Sequence, residues 1–179
     1  MSRKVLVIST SLRKNSNSER IAQEFARGAR DAGHEVEFIS LRGKQIGFCT
    51  GCMACQKQGR CVQRDDASDI AGRMLTADVI AFATPIYYYE MAGQMKVLLD
   101  RMNPLYGLDY AFRDVYMLST AAETEPDVPA RAESGLDGWV ECFERAHVAG
   151  RLFAGGVTDA GEIEGNAKLD EAYGLGKGV

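Results

Sequence analysis

The sequence DVIAFATPIYYY at residues 78–89 contains the stretch that decides the fold. After its first residue, the run Asp78–Ala83 is apolar throughout, which is typical of a strand buried on both faces of a parallel sheet. A similar run, Val5–Ile8, lies near the start of the chain and leads into a loop rich in Ser, Thr and Asn. We therefore expect both runs to be strands of one parallel sheet.

Helical patterns alternate with such strands along the whole chain. Ile21, Phe25 and Ala29 repeat every four residues, which predicts an amphipathic helix that stops at Gly33. Ser16 and Glu19 have the spacing of a capping box, so this helix begins near Asn17. The remaining pattern predicts strands at 36–41, 115–119 and 151–157, a structured loop at 42–64, and helices at 65–75, 93–102, 136–147 and 166–173.

This alternation over 179 residues predicts one domain, 1–179, of the α/β class. We expect a doubly wound, five-stranded parallel sheet in the order 2-1-3-4-5, with helices on both faces in three layers, α/β/α. In that order the ligand lies at the carboxyl ends of strands 1 and 3, where the strand order reverses. The loops at 9–18 and 84–92 therefore become the candidate site.

Composition narrows the classes of function. The chain has 46% hydrophobic and 26% charged residues, as ordinary globular proteins do. Its 21 basic and 25 acidic residues include no cationic run, which argues against nucleic acid and anionic lipid as partners. No apolar stretch has the length of a membrane span and the N-terminus shows no signal-peptide pattern, so we expect a cytoplasmic protein.

The first loop, residues 9–18, ends where a helix begins, and free N–H groups and the helix dipole favour an anion there. Ser11, Asn17 and Ser18 can donate hydrogen bonds, and Arg13 can add a charge-assisted one. The loop lacks the Walker and GxGxxG patterns of ordinary nucleotide-binding loops. Its composition favours a phosphate site, and the alternative is a polar loop with a helix cap.

The second loop contains three consecutive tyrosines, Tyr87–Tyr89. They cannot all face a core, so at least one lies at the surface or against a flat ligand. Pro85 fixes the backbone early in this turn. The alternative is a tyrosine-rich loop that packs on its own helices.

Together the two loops resemble those of the NADPH-dependent FMN reductase branch of flavodoxin-like proteins. Residues 9–18 match a pattern of Ser-x-Arg followed by Asn and Ser/Thr. Residues 84–101 match a Thr/Ser-Pro-x-Tyr loop that runs into Gly-Gln-x-Lys and Asp-Arg. The family often has Pro and Gly where this chain has Leu12 and Ser16. The resemblance implies a flavodoxin-like fold that binds FMN non-covalently.

The resemblance also implies site residues. Those that hold the FMN phosphate would be Ser11, Arg13, Asn17 and Ser18, and Ser9 and Asn15 of the same loop would also bind the cofactor. Those that hold the isoalloxazine ring would be Pro85, Ile86, Tyr87 and Tyr88, and Thr84 and Tyr89 of the same loop would also bind the cofactor. A third loop after strand four, placed by position, adds Ser119 and Thr120.

The activity implied is that of an NAD(P)H-dependent FMN oxidoreductase. A reduced nicotinamide would pass electrons through FMN to a small-molecule acceptor: a quinone, a free flavin, a nitro compound or dioxygen. The cofactor supplies the redox chemistry, and the sequence identifies no acid–base residue. Relatives on this fold imply a homodimer or homotetramer. A hypothesis of another class is a flavin-binding regulatory module without turnover.

Four cysteines form a CxxCxxCx5C run: Cys49, Cys52, Cys55 and Cys61. Three thiolates at intervals of three residues can surround one corner of a cubane, and the fourth can close it. The run resembles the compact motif of the iron–sulfur flavoproteins, which carry a [4Fe–4S] cluster beside FMN and imply a ferredoxin-like partner. Free or reversibly oxidised thiols and a zinc ion bound by all four cysteines are the alternatives.

Other conspicuous residues have structural interpretations. We expect Cys142 to be a core cysteine of a helix, and Asp65–Asp66 to cap one. Asp100–Arg101 is interpreted as a surface pair, and the glycine-rich tail at 174–178 as a frayed helix end. No function is assigned to the two histidines.

Overall fold

A computed structural model describes all residues, 1–179, as alternating strands and helices. The strands are β1 (Lys4–Ser9), β2 (Glu35–Ser40), β3 (Val79–Tyr87), β4 (Glu90–Met91), β5 (Asp114–Thr120) and β6 (His147–Ala154). The helices are α1 (Asn17–Asp31), α2 (Ala54–Gln58), α3 (Asp66–Thr76), α4 (Gly93–Arg101), α5 (Ala130–Glu141) and α6 (Lys168–Lys177), with a 3₁₀ helix at Asn103–Gly107. The predicted α/β class is confirmed.

Five of the strands form a parallel sheet in the order β2-β1-β3-β5-β6. This confirms the predicted order 2-1-3-4-5, since β5 and β6 are the fourth and fifth parallel strands along the chain. Strand β4 was not predicted; it pairs antiparallel with the end of β3, with Met91 opposite Ile86 and Glu90 opposite Tyr87. A two-residue strand is too short to show a period of hydrophobicity.

Both faces of the sheet are buried. On β1, Val5 and Val7 belong to the core beside α1 and α6, whereas Leu6 and Ile8 belong to the core beside α3, α4 and α5. Each of these four residues is at most 2% exposed, and burial of one such side chain contributes roughly 1.5–3 kcal/mol. The three layers α/β/α follow. No helix is both long and apolar enough to cross a bilayer.

Helix α1 begins as predicted. Ser16 is its N-cap, and the Ser16 hydroxyl accepts a hydrogen bond from the N–H of Glu19 at 3.1 Å. The reciprocal half of the capping box does not form, because the Glu19 carboxylate accepts instead from the hydroxyls of Ser9 (3.4 Å) and Ser40 (3.0 Å). It thereby joins the helix to the ends of β1 and β2. Gly33, at φ +89°, supplies the expected left-handed stop.

Two boundaries in the last third of the chain were predicted wrongly. Helix α5 occupies 130–141 rather than 136–147, and β6 begins at 147 rather than 151. The N–H of His147 donates to the Arg113 carbonyl at 2.8 Å, which starts β6 beside β5. The first residues of β6 are mostly exposed or half-buried, so their sequence lacks the apolar pattern of a central strand.

The glycine-rich tail belongs to α6 and is not a frayed end. A Cβ on Gly176 would lie 2.0 Å from the Phe25 carbonyl oxygen, and a Cβ on Gly28 would lie 2.1 Å from the Tyr173 carbonyl oxygen. Glycine at both positions lets the backbones of α1 and α6 approach more closely than any side chain would allow. This packing keeps the tail helical to Lys177, beyond the predicted end at Tyr173.

Cys142 is exposed and not in the core, contrary to expectation. The buried residues of α5 are Ala132, Leu136 and Val140, which repeat every four residues on its inner face. Cys142 follows Val140 by two positions, so it points away from that face. It caps the helix, with its Sγ 3.4 Å from the Gly138 carbonyl oxygen.

The close crossing of α1 and α6 predicts the effect of one methyl group. Gly28→Ala should lower the free energy of unfolding by about 2 kcal/mol, because overpacking costs more than the roughly 1 kcal/mol that alanine gains in a helix. Gly138→Ala is the matched control, since a Cβ there meets nothing within 4 Å. Urea unfolding followed by circular dichroism measures both. Equal effects would contradict the proposed crowding.

Candidate functional site

The first loop packs its hydroxyl groups inside the protein. Thr10 and Ser11 are buried, and the Thr10 hydroxyl donates to the Ala83 carbonyl at 3.0 Å, which fixes the loop to β3. The Ser11 hydroxyl accepts a hydrogen bond from the N–H of Arg13 at 3.2 Å. These two hydrogen bonds fix the backbone of the loop against β3 and at its turn.

The loop turns directly into the N-terminus of α1. Asn15 adopts the left-handed conformation, with φ +54°, and the chain then enters the helix at Asn17. Asn17 and Ser18 are buried, and as the first residues of the helix their N–H groups have no acceptor within it. The positive end of the helix dipole adds to these donors, so an anion fits here.

Two of the predicted phosphate ligands already contact the loop that follows β6. Arg13 Nη1 donates to the Thr158 carbonyl at 2.5 Å. Asn17 Nδ2 donates to the Asp159 carbonyl at 2.9 Å, and Asn17 Oδ1 accepts from the N–H of Ile163 at 3.2 Å. The segment 158–163 therefore lies against the first loop, which no feature of the sequence indicated.

The second loop is built on Thr84, which is fully buried. Its hydroxyl accepts a hydrogen bond from the N–H of Ala92 at 3.0 Å and donates to the Pro85 carbonyl at 3.1 Å. Thr84 thus closes the base of the loop. Pro85 lies opposite Thr120 in the sheet register, which brings the second loop beside the third.

The three tyrosines occupy a tight hairpin between β3 and β4. Tyr88 and Tyr89 are both left-handed, with φ +52° and +64°, and Tyr88 is 98% exposed. The prediction that the three tyrosines cannot all lie in the core is confirmed. A left-handed residue other than glycine costs roughly 1–2 kcal/mol, and such strain is concentrated at functional sites.

The third loop joins the second through one acidic side chain. Ser119 and Thr120, at the end of β5, are buried. Tyr89 Oη donates to Glu123 Oε1 at 3.3 Å, and this hydrogen bond, with the nearby negative charge, raises the pKa of Tyr89. The N–H of Gly156 donates to the Glu123 carbonyl at 3.2 Å. The loops after β1, β3, β5 and β6 therefore meet at one edge of the sheet.

The four clustered cysteines line one cavity of about 20 Å³. Cys49 and Cys52 are exposed, and Cys55 and Cys61 are partly buried. Left-handed residues turn the chain between them: Gly51 (φ +66°), Met53 (φ +56°) and Gly59 (φ +65°). Hydrogen bonds from the N–H of Ala54 and the hydroxyl of Thr50 lower the pKa of Cys52, which favours its thiolate.

These thiols do not form a site for a single ion. No group of three or more Cys, His, Asp or Glu side chains lies close enough together to hold one metal ion. In a cubane each thiolate binds a different iron, so its four sulfurs lie further apart than four sulfurs on one zinc.

Arg101 does not have the surface position predicted for it. It is 2% exposed and does not form a surface pair with Asp100, which pairs instead with Lys96 at 2.6 Å. The Arg101 guanidinium binds both carboxylate oxygens of Asp65, at 2.6 and 2.8 Å, and donates to the Gly47 carbonyl at 2.8 Å. The only sequence signal was its position three residues after the buried Leu98.

Two side chains donate hydrogen bonds to the sulfurs. Arg101 Nη2 lies 3.4 Å from Cys61 Sγ, and Asn103 Nδ2 lies 3.2 Å from Cys55 Sγ. The pKa of Arg101 is raised, chiefly by its hydrogen bond to Asp65, so its charge is permanent. A fixed cation therefore lies beside Cys61.

Burial alone would raise the pKa of Asp65. The hydrogen bonds from Arg101, Gly47 N–H and Ala67 N–H, with the Arg101 charge, outweigh burial and hold this pKa below its ordinary value of 3.8. Asp65 also caps α3, as predicted for the Asp65–Asp66 pair. One carboxylate thus joins the cysteine segment, α3 and α4.

A larger cavity, of about 410 Å³, adjoins both groups of residues. Leu12 of the first loop and Phe48, the neighbour of Cys49, both line it, together with Gly93 and Gln94 at the start of α4. Most of its lining is apolar, and its volume is in the range of small-molecule sites.

The profile of the NADPH-dependent FMN reductase family matches residues 3–151, which include the first three loops and the four cysteines. The chain belongs to this family. Sequence and structure therefore agree on the flavodoxin-like fold that the resemblance implied.

Several proteins similar to this chain are named iron–sulfur flavoproteins. One from Archaeoglobus fulgidus is 36% identical over 101 residues, which are 56% of this chain and 46% of the relative. The match thus spans about half the length of that protein. Another, from Methanosarcina thermophila, is 26% identical over 96% of this chain and 87% of the relative.

Solved structures of low identity share the fold. An NAD(P)H:quinone oxidoreductase from Methanothermobacter marburgensis superposes with a TM-score of 0.71 at 18% identity, over 99% of this chain and 96% of the other. At this identity the likeness concerns the fold alone.

The Asp65–Arg101 pair predicts a pH-dependent stability. Asp65→Asn should lower the free energy of unfolding by about 2 kcal/mol at neutral pH, because it leaves a buried guanidinium without its counter-ion. Because the pKa of Asp65 is lower in the folded chain than in the unfolded chain, its carboxylate stabilises the fold at pH values above the unfolded pKa. This contribution is lost as the pH falls through the folded pKa. The difference between wild type and variant should therefore be complete at pH 7 and shrink below about pH 4.

Urea unfolding at several pH values measures this difference. Asp100→Asn is the matched control, because its exposed pair with Lys96 should contribute at most about 0.5 kcal/mol. A variant as stable as wild type at pH 7 would show that the pair does not stabilise the fold.

Proposed function

We propose that this chain is an FMN-dependent oxidoreductase that also carries a [4Fe–4S] cluster. The observation on which this proposal rests is the convergence of four cysteines on one cavity, where a buried cation donates to one of their sulfurs. The names of the iron–sulfur flavoprotein relatives support it. The cluster ligands are Cys49, Cys52, Cys55 and Cys61.

The FMN site lies at the loops after β1, β3 and β5. Buried hydroxyls and free N–H groups at the start of α1 fit a phosphate, and the strained tyrosine hairpin presents aromatic rings beside the third loop. The phosphate ligands are Ser9, Ser11, Arg13, Asn15, Asn17 and Ser18. The ring contacts are Thr84, Pro85, Ile86, Tyr87, Tyr88, Tyr89, Ser119 and Thr120.

Bound FMN would supply two-electron chemistry with a reduced nicotinamide, and a cluster held by the four cysteines would supply one-electron transfer. The chain's own residues would position these groups, the loops after β1, β3 and β5 holding the flavin and the four cysteines holding the cluster. A ferredoxin-like protein, which exchanges one electron at a time, would be a suitable partner for such a cluster.

A second candidate is an NAD(P)H-dependent reductase of a small acceptor: a quinone, a free flavin, a nitro compound or dioxygen. Its cysteines would be free or reversibly oxidised thiols. The open cavity of about 410 Å³ beside the first loop favours this function, since it offers space for such an acceptor. Both enzymes should oxidise NAD(P)H, whereas a non-catalytic flavin-binding module should not. The mass of the native protein in solution tests the expected homodimer or homotetramer.

Metal content decides between the first two candidates. Protein purified without oxygen should contain about one flavin, four irons and four acid-labile sulfides per chain, and be brown. Cys61→Ser should lose the iron. Cys142→Ser, which changes the exposed fifth cysteine, should retain it. A yellow wild-type protein without iron would favour the second candidate, and one that cannot take up FMN would refute both.

Phosphate recognition by the first loop predicts a selective loss of affinity. Arg13→Ala should weaken FMN binding by about 10–100-fold, the value of a charge-assisted hydrogen bond, and leave riboflavin binding within about threefold. Lys14→Ala is the matched control, since this exposed neighbour forms no side-chain hydrogen bond or salt bridge. Flavin fluorescence titration measures all three proteins. Equal loss for FMN and riboflavin would show that Arg13 does not bind the phosphate.

A further inference from the structure

Arg101 retains one unused donor. Its Nε is the only buried side-chain nitrogen or oxygen in the structure without a hydrogen-bond partner, although the residue is 2% exposed. An unpaired buried donor of this kind costs roughly 1–3 kcal/mol, so it is rare unless something else binds it. Arg101 lines the same cavity as the four cysteines.

The other guanidinium contacts prevent this side chain from moving away. Asp65 binds both of its terminal nitrogens, and the Gly47 carbonyl accepts from Nη1. The carboxylate of Asp65 is itself fixed by the N–H groups of Gly47 and Ala67. The cation is therefore held beside Cys61 Sγ, at 3.4 Å from Nη2.

From this geometry we infer that Arg101 is a positioning residue that sets the reduction potential of the four-cysteine centre. The negative charge of Asp65 partly compensates its positive charge. The inference rests on the proposed [4Fe–4S] cluster. A cluster gains one negative charge on reduction, so a nearby cation and N–H···S hydrogen bonds stabilise the reduced form. The carboxylate of Asp65 offsets part of that positive charge.

This electrostatic role predicts shifts of opposite sign at the two partners. Arg101→Gln should lower the equilibrium constant for one-electron reduction about tenfold, which is a shift of 59 mV. Asp65→Asn should raise the same constant, because it leaves the cation uncompensated. Arg101→Lys keeps the charge, so its equilibrium constant for reduction should lie between those of Arg101→Gln and wild type. Asp31→Asn, which removes an exposed carboxylate that pairs with Arg27 on α1 and does not line the cysteine cavity, should leave the potential unchanged.

Redox titration of anaerobically purified protein, followed by the electron paramagnetic resonance signal of the reduced centre, measures these potentials. Iron and sulfide counts on every variant establish that it is loaded. Should Arg101→Gln fail to fold, the Arg101→Gln/Asp65→Asn double variant removes both charges, and it should titrate below Asp65→Asn alone.

The outcomes separate this inference from the function on which it depends. Potentials that shift in opposite directions in the Arg101→Gln and Asp65→Asn variants support it, since lost packing alone gives no reason for shifts of opposite sign. Loaded variants whose potentials all equal that of wild type would overturn the inference and leave the cluster intact. Wild-type protein without iron would overturn the proposed cluster, and the inference with it.

Discussion

The strands β1 and β3 pair in parallel from Val5 with Val79 to Ser9 with Ala83, at the centre of a sheet covered on both faces. Parallel strands need long crossover connections, and here helices cross the faces of the sheet from the end of one strand to the start of the next. Each loop that follows a parallel strand therefore lies at the carboxyl edge of the sheet. The pairing therefore determines where the loops of the candidate site can be. The hydrogen bond from Thr10 to the Ala83 carbonyl continues the same pairing into the first loop.

A second interaction organises the cysteine segment, which has almost no regular structure of its own. The Asp65–Arg101 pair joins the start of α3 to the end of α4, and it holds the chain near Gly47 and Cys61. A buried charge pair is expensive to desolvate, and here the hydrogen bonds from Arg101 and from the N–H groups of Gly47 and Ala67 to Asp65 offset that cost. The same contacts that fix this segment also determine the charge that its thiols experience.

The edge of the sheet is also closed from the far end of the chain. The segment after β6 contacts Arg13 and Asn17, and its Gly156 supports the loop that carries Glu123. Residues more than 140 positions apart in sequence thus share the candidate FMN site. The strained tyrosine hairpin lies at this same edge, and its Tyr88 side chain is 98% exposed.

The amino-acid sequence by itself determined the fold class, the strand order and the start of α1, because continuous apolar runs, a four-residue period and a cap residue are local signals. It also identified the loops and the cysteine run, since their residue types are unusual. It could not predict β4, the extent of α5 or the helical tail, because short strands, half-exposed strand ends and close helix crossings depend on neighbours distant in sequence. Only the tertiary structure decided that Arg101 is buried against Asp65 and Cys61, since burial of a charge becomes favourable only where folding supplies its partner.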